Sequence, residues 1–529
     1  MLIPKVENRI RQYLELLERN KYESLLALDI EYFKTRETFR LPPDKVSWTA
    51  VSLPFPYGEE WTCYWWRTSF ALPQKAAGRA VFLEAKPRAD TLVFIDGLPC
   101  GALNPVHEKI LLDKSGEAGR RYTVHMESYA GHKYPGEHPS KPDRVILTLG
   151  LQIPDYPNLF ESASLIAKNE AIYGLYYDAL VLFDLAISLD EHSLRRARIL
   201  RGLYDAFASL RFEARMPELE NQAATAAKAV APLLAARNGD SAPAVHLVGH
   251  AHIDHAWLWP IAETERKAAR TFATMARYAA EFPEFVFIQS QSAQLEIVER
   301  EYPAVFAAVK TAYAAGQWEP NGGMWVEADC NLPAGESFVR QFLVGKAATR
   351  RMLGYEGDTL WLPDVFGYSA ALPQILKGCE IEYFVTSKIN WNDTTRFPYD
   401  SFVWRGIDGS GIKTHFITMR TDGYNGAVSP SRLLEAWRHV QHKEVQESVI
   451  SSIGEGDGGG GTKRSDLECA RRLADLEGAP KAGWRKASVA LGEIFARAED
   501  LPEWKGELYL ELLDGLHDAD PYVHVDRSS

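Results

Sequence analysis

The sequence predicts a multidomain α/β protein in which an N-terminal β-sandwich precedes a (β/α) barrel-like domain and the start of a helical bundle. The 529 residues are enough for roughly three or four domains of about 150 residues each. Short apolar runs broken by Gly, Pro and Asp fill the region before about residue 155, which is typical of β-strands. From about residue 241 strand-like and helix-like runs alternate, which indicates a parallel sheet, either a barrel or an open doubly wound sheet.

Five segments follow one another along the chain. Apolar residues on a helical period predict helix in the first and third segments. A D-G turn between apolar runs predicts a hairpin in the second. The predicted segments are an N-terminal helical segment at 1–44, a β-sandwich at 45–160, a helical connector at 161–240, the barrel-like domain at 241–462, and a truncated helical domain with an atypical tail at 463–529.

Composition narrows the classes of function. Hydrophobic residues make up 46% and charged residues 25%, as in an ordinary soluble protein with a large core. The net charge of -12 disfavours nucleic acid and anionic membranes as partners. No apolar run reaches the roughly 20 residues that span a bilayer, and the first residues predict an amphipathic helix rather than a signal peptide. The five scattered cysteines predict reduced, mostly buried thiols and a cytoplasmic protein.

The stretch VHLVGHAHIDHAWLWP, at 245–260, contains the densest group of metal-binding side chains. Alternate residues of a strand share a face, so His250, His252 and Asp254 are expected to point the same way. Reactive groups in parallel α/β folds lie at the carboxyl ends of strands. An H-x-D pair there offers one neutral nitrogen and one anionic oxygen, both suited to zinc. A core histidine beside a helix-capping aspartate is the competing interpretation, which the clustering disfavours.

Further carboxylates follow other strand-like runs. Asp364 in LWLPDVFGYS ends an apolar strand, where it could be a metal ligand, a nucleophile, both, or a helix cap. Asp457 in SSIGEGDGGGG precedes four glycines, whose permissive backbone would let it approach a ligand, although a plain flexible loop remains an alternative. Glu327, Asp329 and Arg340 lie in a Trp- and Gly-rich stretch, where ordinary salt bridges explain them as well as a function does.

These motifs together resemble those of the α-mannosidases of glycoside hydrolase family 38, in particular their cytosolic and bacterial branch. The motifs HAHIDHAWLWP, WVEADCNLPAGESFVRQFL, LWLPDVFGYSAALPQIL, KINWNDTTRFPYDSFVWRGIDGSG and GEGDGGGG occur in family order from about residue 245 to 461. The β-rich region before them resembles the N-terminal domain of that branch. The resemblance implies a retaining glycosidase that uses one zinc ion to hydrolyse terminal α-mannosides of oligosaccharides.

The resemblance also implies a role for each matching residue. Asp364 would be the nucleophile and would also touch the metal. Asp457 is the candidate general acid/base, and retention requires these two carboxyl groups to lie about 5 Å apart. The remaining implied residues are two zinc ligands, His252 and Asp254, and two substrate contacts, Trp257 and Tyr424.

The sequence departs from the family pattern near its end. In the family a His-Arg-Gly-Thr run follows GELYLEL, and its histidine completes the zinc site. Here position 513 is Leu, and the chain stops at about half the usual family length. We therefore expect a C-terminally truncated member that holds zinc weakly and has little or no activity alone. Replacement of the missing ligand by His517 or His524 is disfavoured.

Two other functions stay open at this stage. One is a non-catalytic mannoside-binding remnant. The other is a metal-dependent amidohydrolase, since H-x-H also occurs at barrel strand ends in that class. Amidohydrolases need further histidines at later strand ends, and FVFIQS, TLWLPDVFG and YFVTSK contain none. The expected partner is a mannose-containing oligosaccharide, with no nucleic acid and no membrane, and the oligomeric state is open.

Overall fold

The computed structural model describes residues 3–131, 158–257, 259–392, 394–444, 446–497 and 500–511. Within these residues the chain forms a β-sandwich, a helical connector and an α/β domain, so the predicted fold class is confirmed. The tail from Leu512 onward, which contains His517 and His524, lies outside the described residues.

The first helix is shorter than the sequence pattern predicts. Helix α1 spans Ile3–Asn20, and strands β1 at Tyr22–Ala27 and β2 at Ile30–Thr35 follow it. The prediction of a helical segment over 1–44 is therefore wrong after Asn20. β1 pairs antiparallel with a strand at Ala163–Lys168. Such long-range pairing overrides local propensity and leaves no trace in the local pattern.

Two antiparallel sheets form the sandwich, and its buried aromatic residues belong to its core. Trp65 and Trp66, for example, are fully buried. The further strands are β3 Thr49–Val51, β4 Phe55–Tyr57, β5 Cys63–Ala71, β6 Val81–Ala85, β7 Thr91–Ile95, β8 Leu98–Leu103, β9 Lys109–Asp113, β10 Arg121–Tyr129, β11 Asn158–Phe160 and β12 Ala163–Lys168. One sheet has the order β1-β12-β6-β9 and the other the order β3-β2-β5-β10-β7-β8.

Three helices connect the sandwich to the α/β domain. They are α2 at Glu170–Ser188, α3 at Leu194–Phe207 and α4 at Glu218–Ala235. By length and composition α2 could cross a membrane. It packs instead against α1, α3 and α4, and most of its length is buried inside the protein. The sequence showed no such run because Asp178 and Asp184 interrupt the apolar residues.

The α/β domain contains ten strands and eight helices in its described part. Its strands are β13 Ala244–Gly249, β14 Phe287–Ile288, β15 Trp318–Glu319, β16 Thr359–Trp361, β17 Tyr383–Thr386, β18 Ser401–Arg405, β19 Gly411–Phe416, β20 Ser448–Ile453, β21 Lys481–Trp484 and β22 Glu503–Lys505. Its helices are α5 Ile261–Glu281, α6 Ser292–Glu301, α7 Pro303–Ala314, α8 Gly335–Leu353, α9 Leu372–Gly378, α10 Pro430–Arg438, α11 Arg464–Leu473 and α12 Ala487–Arg497.

The strands pair into two sheets that share one apolar cluster. One sheet has the order β15-β14-β13-β20, with β21 also paired to β13, and the other the order β16-β17-β19-β18-β22. All these pairs are parallel except β18 with β19. Val248 and Ile450 of the first sheet and Trp361 and Val385 of the second are buried in the same cluster. The sheets therefore enclose a common interior, as the barrel-like prediction requires.

Residues after 462 belong to the same α/β domain. α11 and α12 are helical as expected, but β21 between them pairs in parallel with β13, and β22 pairs with β18. The prediction of a separate helical domain from residue 463 is wrong for these strands. Runs as short as KAGW and EWK carry too few residues to show a period.

A buried ion network joins the sandwich to the α/β domain. Arg266 of α5 donates to Glu127 of β10 at 3.0 Å and lies 3.4 Å from Glu263. Glu263 also accepts from Arg270 at 2.7 Å, and all four side chains are buried. Burial raises the pKa of Glu127, and the nearby guanidinium groups oppose that effect. Removing either partner of such a pair leaves a buried charge without its counterion, so the contact between the two domains is sensitive to the loss of either side chain.

We expect Glu127→Ala to lower the free energy of unfolding by about 3 kcal/mol, because the Arg266 guanidinium would lose a buried partner. Urea unfolding followed by tryptophan fluorescence measures this change. Glu84→Ala is the control, since the ion pair of Glu84 with Lys109 is about a quarter exposed. The control should cost less than about 1 kcal/mol. Equal losses in both variants would contradict the role of the network.

Candidate active site

The H-x-D motif lies in a loop after strand β13. The strand ends at Gly249, so the alternation of a strand does not orient His250, His252 and Asp254, and that part of the prediction is wrong. The loop is held instead by backbone contacts with the neighbouring strand β20. The N–H of His250 donates to the carbonyl of Ile453 at 2.9 Å.

Buried amide side chains fix the same loop from the other side. The carbonyl oxygen of Ile253 accepts hydrogen bonds from Gln291 at 2.7 Å and from Gln294 at 2.8 Å. Both glutamines are buried and follow strand β14. The side chains on either side of Ile253 therefore start from a rigid backbone.

Four side chains from three strand ends converge on one point. Nε2 of His252 lies 3.2 Å from Oδ1 of Asp254 and 3.3 Å from Oδ2 of Asp364. One carboxylate oxygen of Asp457 joins them, and the four potential ligand atoms all lie within 4.8 Å of one another. His252, Asp254 and Asp364 are buried, and Asp457 is half-buried. The structure thus brings together the four residues that the resemblance assigns to zinc binding or catalysis.

The glycine-rich stretch is a docked loop rather than a free one. Asp457 has a φ of 61°, which is uncommon for a residue with a side chain. Its carbonyl accepts the N–H of Asp254 at 2.8 Å. A Cβ at Gly456 would overlap with Oδ1 of Asn425 and would lie 3.1 Å from Cβ of His252, so the absence of a side chain lets this loop pack closely against the H-x-D loop.

Tyr424 contacts two members of the cluster. Its hydroxyl donates to Oδ1 of Asp457 at 2.6 Å, and its ring lies edge-on to the His252 ring with the centroids 5.3 Å apart. Burial raises the pKa of Tyr424 well above its usual range, and the charges of Asp364 and Asp457 raise it further. The hydroxyl therefore keeps its proton and acts as a donor to Asp457.

The sandwich also contacts the glycine-rich loop. Nε2 of His107 lies 3.1 Å from the carbonyl oxygen of Thr462, and its Nδ1 lies 3.1 Å from Oδ1 of Asn104. A Cβ at Gly460 would lie 3.7 Å from Nδ2 of the same asparagine. The turn between β8 and β9 therefore supports the C-terminal half of the loop that presents Asp457.

Negative charge accumulates around a single imidazole. Burial alone would lower the pKa of His252, but Glu327 and Asp254 raise it well above its usual value. Burial raises the pKa of Asp457, and the charge of Asp364 adds to this effect. A divalent cation would neutralise such a group. One imidazole nitrogen and several carboxylate oxygens also form the donor set that suits zinc.

Glu327, which the sequence left undecided, supports His252. Its Oε2 lies 3.0 Å from Nδ1 of His252, and its Oε1 accepts from the Ser290 hydroxyl at 2.7 Å. Metal-binding histidines commonly place their second nitrogen on a carboxylate, which fixes the ring. Nε2 of His252 thus faces the cluster. Two acids in the apolar run MWVEADC were the available sequence signal.

Lys388 is a second residue that the sequence analysis missed. Its Nζ lies 2.6 Å from Oδ1 of Asp364 and 3.2 Å from the ring centroid of Trp391. Lys388 follows strand β17 as Asp364 follows β16. The strand-end position that indicates a functional role for Asp364 is therefore shared by Lys388.

Trp257 lies three residues after Asp254 and is half-buried. Its ring meets the Trp259 ring edge-on, with the centroids 5.8 Å apart. The backbone N–H of Trp257 donates to the Trp259 carbonyl at 3.3 Å. The Trp259 indole in turn donates to the Thr264 hydroxyl at 3.1 Å. These contacts order the turn, and the contact of Trp257 with a sugar stays a prediction.

Comparison with protein families matches both parts of the chain. Residues 242–507 match the glycosyl hydrolases family 38 N-terminal domain, and residues 31–150 match the alpha-mannosidase jelly roll domain. The first match contains all four residues of the cluster, together with Glu327 and Lys388. The second covers most of the sandwich described above.

The chain is also similar to individual proteins. The chain is 33% identical to human Alpha-mannosidase 2C1 over 468 residues, covering 86% of this chain and 43% of that protein. It is 30% identical to Alpha-mannosidase G of Dictyostelium discoideum, covering 87% and 42%. A solved alpha-mannosidase from Enterococcus faecalis V583 shares 21% identity over 50% of this chain and 31% of that one, with a TM-score of 0.43. The chain spans about half the length of the curated relatives it matches.

We expect Glu327→Gln to weaken zinc binding about 10- to 100-fold, because the neutral amide no longer fixes His252 or adds negative charge beside it. Competition with a chromogenic chelator measures the dissociation constant. Glu336→Gln is the matched control, since Glu336 is exposed on α8, where it forms an ion pair with Arg340. An unchanged zinc affinity in Glu327→Gln would show that this carboxylate does not support the site.

Proposed function

Because the chain belongs to glycosyl hydrolase family 38, we propose that it is a zinc-dependent, retaining α-mannosidase acting on terminal α-mannosides of oligosaccharides. One observation carries the proposal, namely that ligand atoms of His252, Asp254, Asp364 and Asp457 converge within 4.8 Å. The relatives named alpha-mannosidase support the choice of sugar.

The proposed metal site uses His252, Asp254 and Asp364. When bound, the zinc ion would supply a Lewis acid and a template for the 2- and 3-hydroxyls, an arrangement that favours the axial 2-hydroxyl of mannose. Glu327 holds the His252 ring through Nδ1. The amide N–H of Asp254 is held by the Asp457 carbonyl, so the H-x-D loop and the acid/base loop keep a fixed separation.

Asp364 is the proposed nucleophile and Asp457 the proposed general acid/base. An oxygen of each lies within 4.8 Å of the other. This upper bound lies below the roughly 6.5–9.5 Å separation of inverting glycosidases, which supports a retaining mechanism, for which the separation is about 5 Å. Asp364 attacks the anomeric carbon while Asp457 gives a proton to the departing oxygen. Asp457 then takes a proton from the water that attacks the same carbon and releases Asp364.

Tyr424 and burial prepare Asp457 for the first step. The Tyr424 hydroxyl donates to Oδ1, which leaves Oδ2 as the oxygen that carries the acidic proton. Burial and the charge of Asp364 raise the pKa of Asp457, which favours the protonated acid at the start of the cycle. Trp257 is the proposed aromatic wall of the sugar site.

We also propose a cytoplasmic location. The five cysteines are all free thiols, and three of them, Cys63, Cys330 and Cys469, are buried. Unpaired thiols are typical of proteins in a reducing compartment.

The function is tested with p-nitrophenyl α-mannoside, after removal of metal by a chelator and with zinc added back. The departure from the family pattern after Leu512 predicts a low rate, so an activated leaving group is used. We expect zinc-dependent turnover and NMR detection of α-mannose as the first product. Release of β-mannose would refute retention, and calorimetric binding of mannose without turnover would identify a non-catalytic binding protein.

We expect Asp457→Asn to reduce hydrolysis of unactivated α-mannosides about 10²- to 10⁴-fold, because the leaving oxygen would lose its proton donor. Added azide should restore release of p-nitrophenol and give α-mannosyl azide, since azide needs no general base in the second step. Product NMR identifies the anomer. Asp408→Asn, an exposed aspartate in a turn, is the control. Failure of azide to form this product would contradict the assigned role.

A further inference from the structure

We propose that Lys388 is a positioning residue for Asp364, binding its Oδ1 and keeping that oxygen available for attack on the anomeric carbon. Nζ of Lys388 lies 2.6 Å from Oδ1, whereas Oδ2 faces Nε2 of His252 at 3.3 Å. The two oxygens of Asp364 are thus divided between two partners. The inference rests on the proposed function and assigns a role to a residue outside the metal-binding cluster.

The Lys388 ammonium is confined to this place by aromatic rings. Its Nζ lies 3.2 Å from the ring centroid of Trp391, 4.6 Å from that of Phe366 and 5.5 Å from that of Tyr424. Lys388 is only 2% exposed. Cation–π contacts of this kind strengthen when water is excluded. The cage therefore holds the ammonium against Asp364 and prevents it from turning to solvent.

Confinement of Lys388 limits how Asp364 can bind a metal. A carboxylate can place one or both oxygens on a cation. The ion pair with Lys388 places a positive charge against Oδ1, and like charge disfavours a second cation at the same oxygen. Asp364 then faces the cluster with Oδ2, and Oδ1, beside Lys388, is the oxygen that we assign to the attack on the sugar.

The charges of the buried site support the same assignment. Asp254, Asp364 and Glu327 are buried carboxyl groups that surround the single imidazole of His252. The Lys388 ammonium places a positive charge among them, 2.6 Å from Oδ1 of Asp364. Loss of this ammonium would remove a buried positive charge and increase the attraction of the site for a metal cation.

Lys388 also bears on both chemical steps. In the first, a lone pair of Oδ1 forms the bond to the anomeric carbon, while the glycosidic bond breaks and its oxygen takes the proton of Asp457. In the second, water forms its bond to that carbon, Asp457 accepts its proton, and the electron pair of the ester bond returns to Oδ1. The adjacent ammonium stabilises the carboxylate that departs.

The test compares Lys388→Met and Lys388→Arg with the wild type and with Lys413→Met. Lys413 pairs with Glu382 at 2.8 Å on the surface of the same sheet and serves as the matched control. We expect Lys388→Met to lower kcat about 10²- to 10³-fold with a much smaller change in KM, because a preorganised charge is lost. Lys388→Arg should recover at least about tenfold of that loss.

Zinc affinity is the second measurement, and it separates positioning from structural damage. In Lys388→Met we expect zinc to bind several-fold more tightly, since Oδ1 of Asp364 becomes free to join Oδ2 on the ion. Damage to the site would weaken zinc binding and lower kcat together, which would overturn the proposal. An unchanged kcat would overturn it as well.

The test also covers a Lys388→Met variant that does not fold and a wild type that shows no turnover. If Lys388→Met does not fold, as judged by its thermal midpoint, Lys388→Gln is measured in the same two ways, because the amide can still donate to Oδ1 without a charge. If the wild type shows no turnover, the proposed function fails independently. The zinc affinities then decide the role of Lys388 alone, with tighter binding supporting it and weaker binding overturning it.

Discussion

Burial of several carboxylates around one imidazole is the constraint on which the site depends. Asp254, Asp364 and Glu327 are all buried beside His252, and a charge taken out of water is costly unless it is paired. The Lys388 ammonium and polar neighbouring side chains offset part of this cost. The proposed zinc ion would offset the rest of the cost at the point where the ligand atoms converge.

The fold satisfies this constraint by joining the ends of strands from two sheets. β13 and β20 present the H-x-D loop and the glycine-rich loop, while β16 and β17 present Asp364 and Lys388. Each loop is fixed by contacts with another loop rather than by its own strand. The Asp254 amide on the Asp457 carbonyl is one example, and the Gln291 amide on the Ile253 carbonyl is another. Groups that repel one another are thereby kept close.

The local sequence pattern predicts much of this arrangement. It fails for strands that form only because they pair with residues far away in the chain. The H-x-D spacing and the strand-end position select His252, Asp254 and Asp364, and the structure brings them together. The strands at Tyr22–Ala27 and Lys481–Trp484 escape prediction, because partners far away in the chain stabilise them. The sequence of a short strand does not indicate which distant residues will pair with it.

Two site residues show a different limit of the sequence. Glu327 and Lys388 act through side chains that they touch, His252 and Asp364, and no spacing rule links the members of either pair. Their residue types are also common on protein surfaces in ordinary ion pairs. Burial distinguishes them, and burial depends on the whole fold rather than on neighbours in the chain. The wider family resemblance names ligands and catalytic groups, but it does not reveal which side chains hold them in place.

The contact between His107 and the Thr462 carbonyl has a consequence for how the protein can be divided. The two matched family regions, 31–150 and 242–507, suggest an autonomous hydrolase unit with a separable companion. A fragment beginning near residue 242 would retain every residue of the proposed sugar site. It would nevertheless lack the His107 contact that supports the glycine-rich loop, so removing the sandwich would remove part of what holds Asp457 in place.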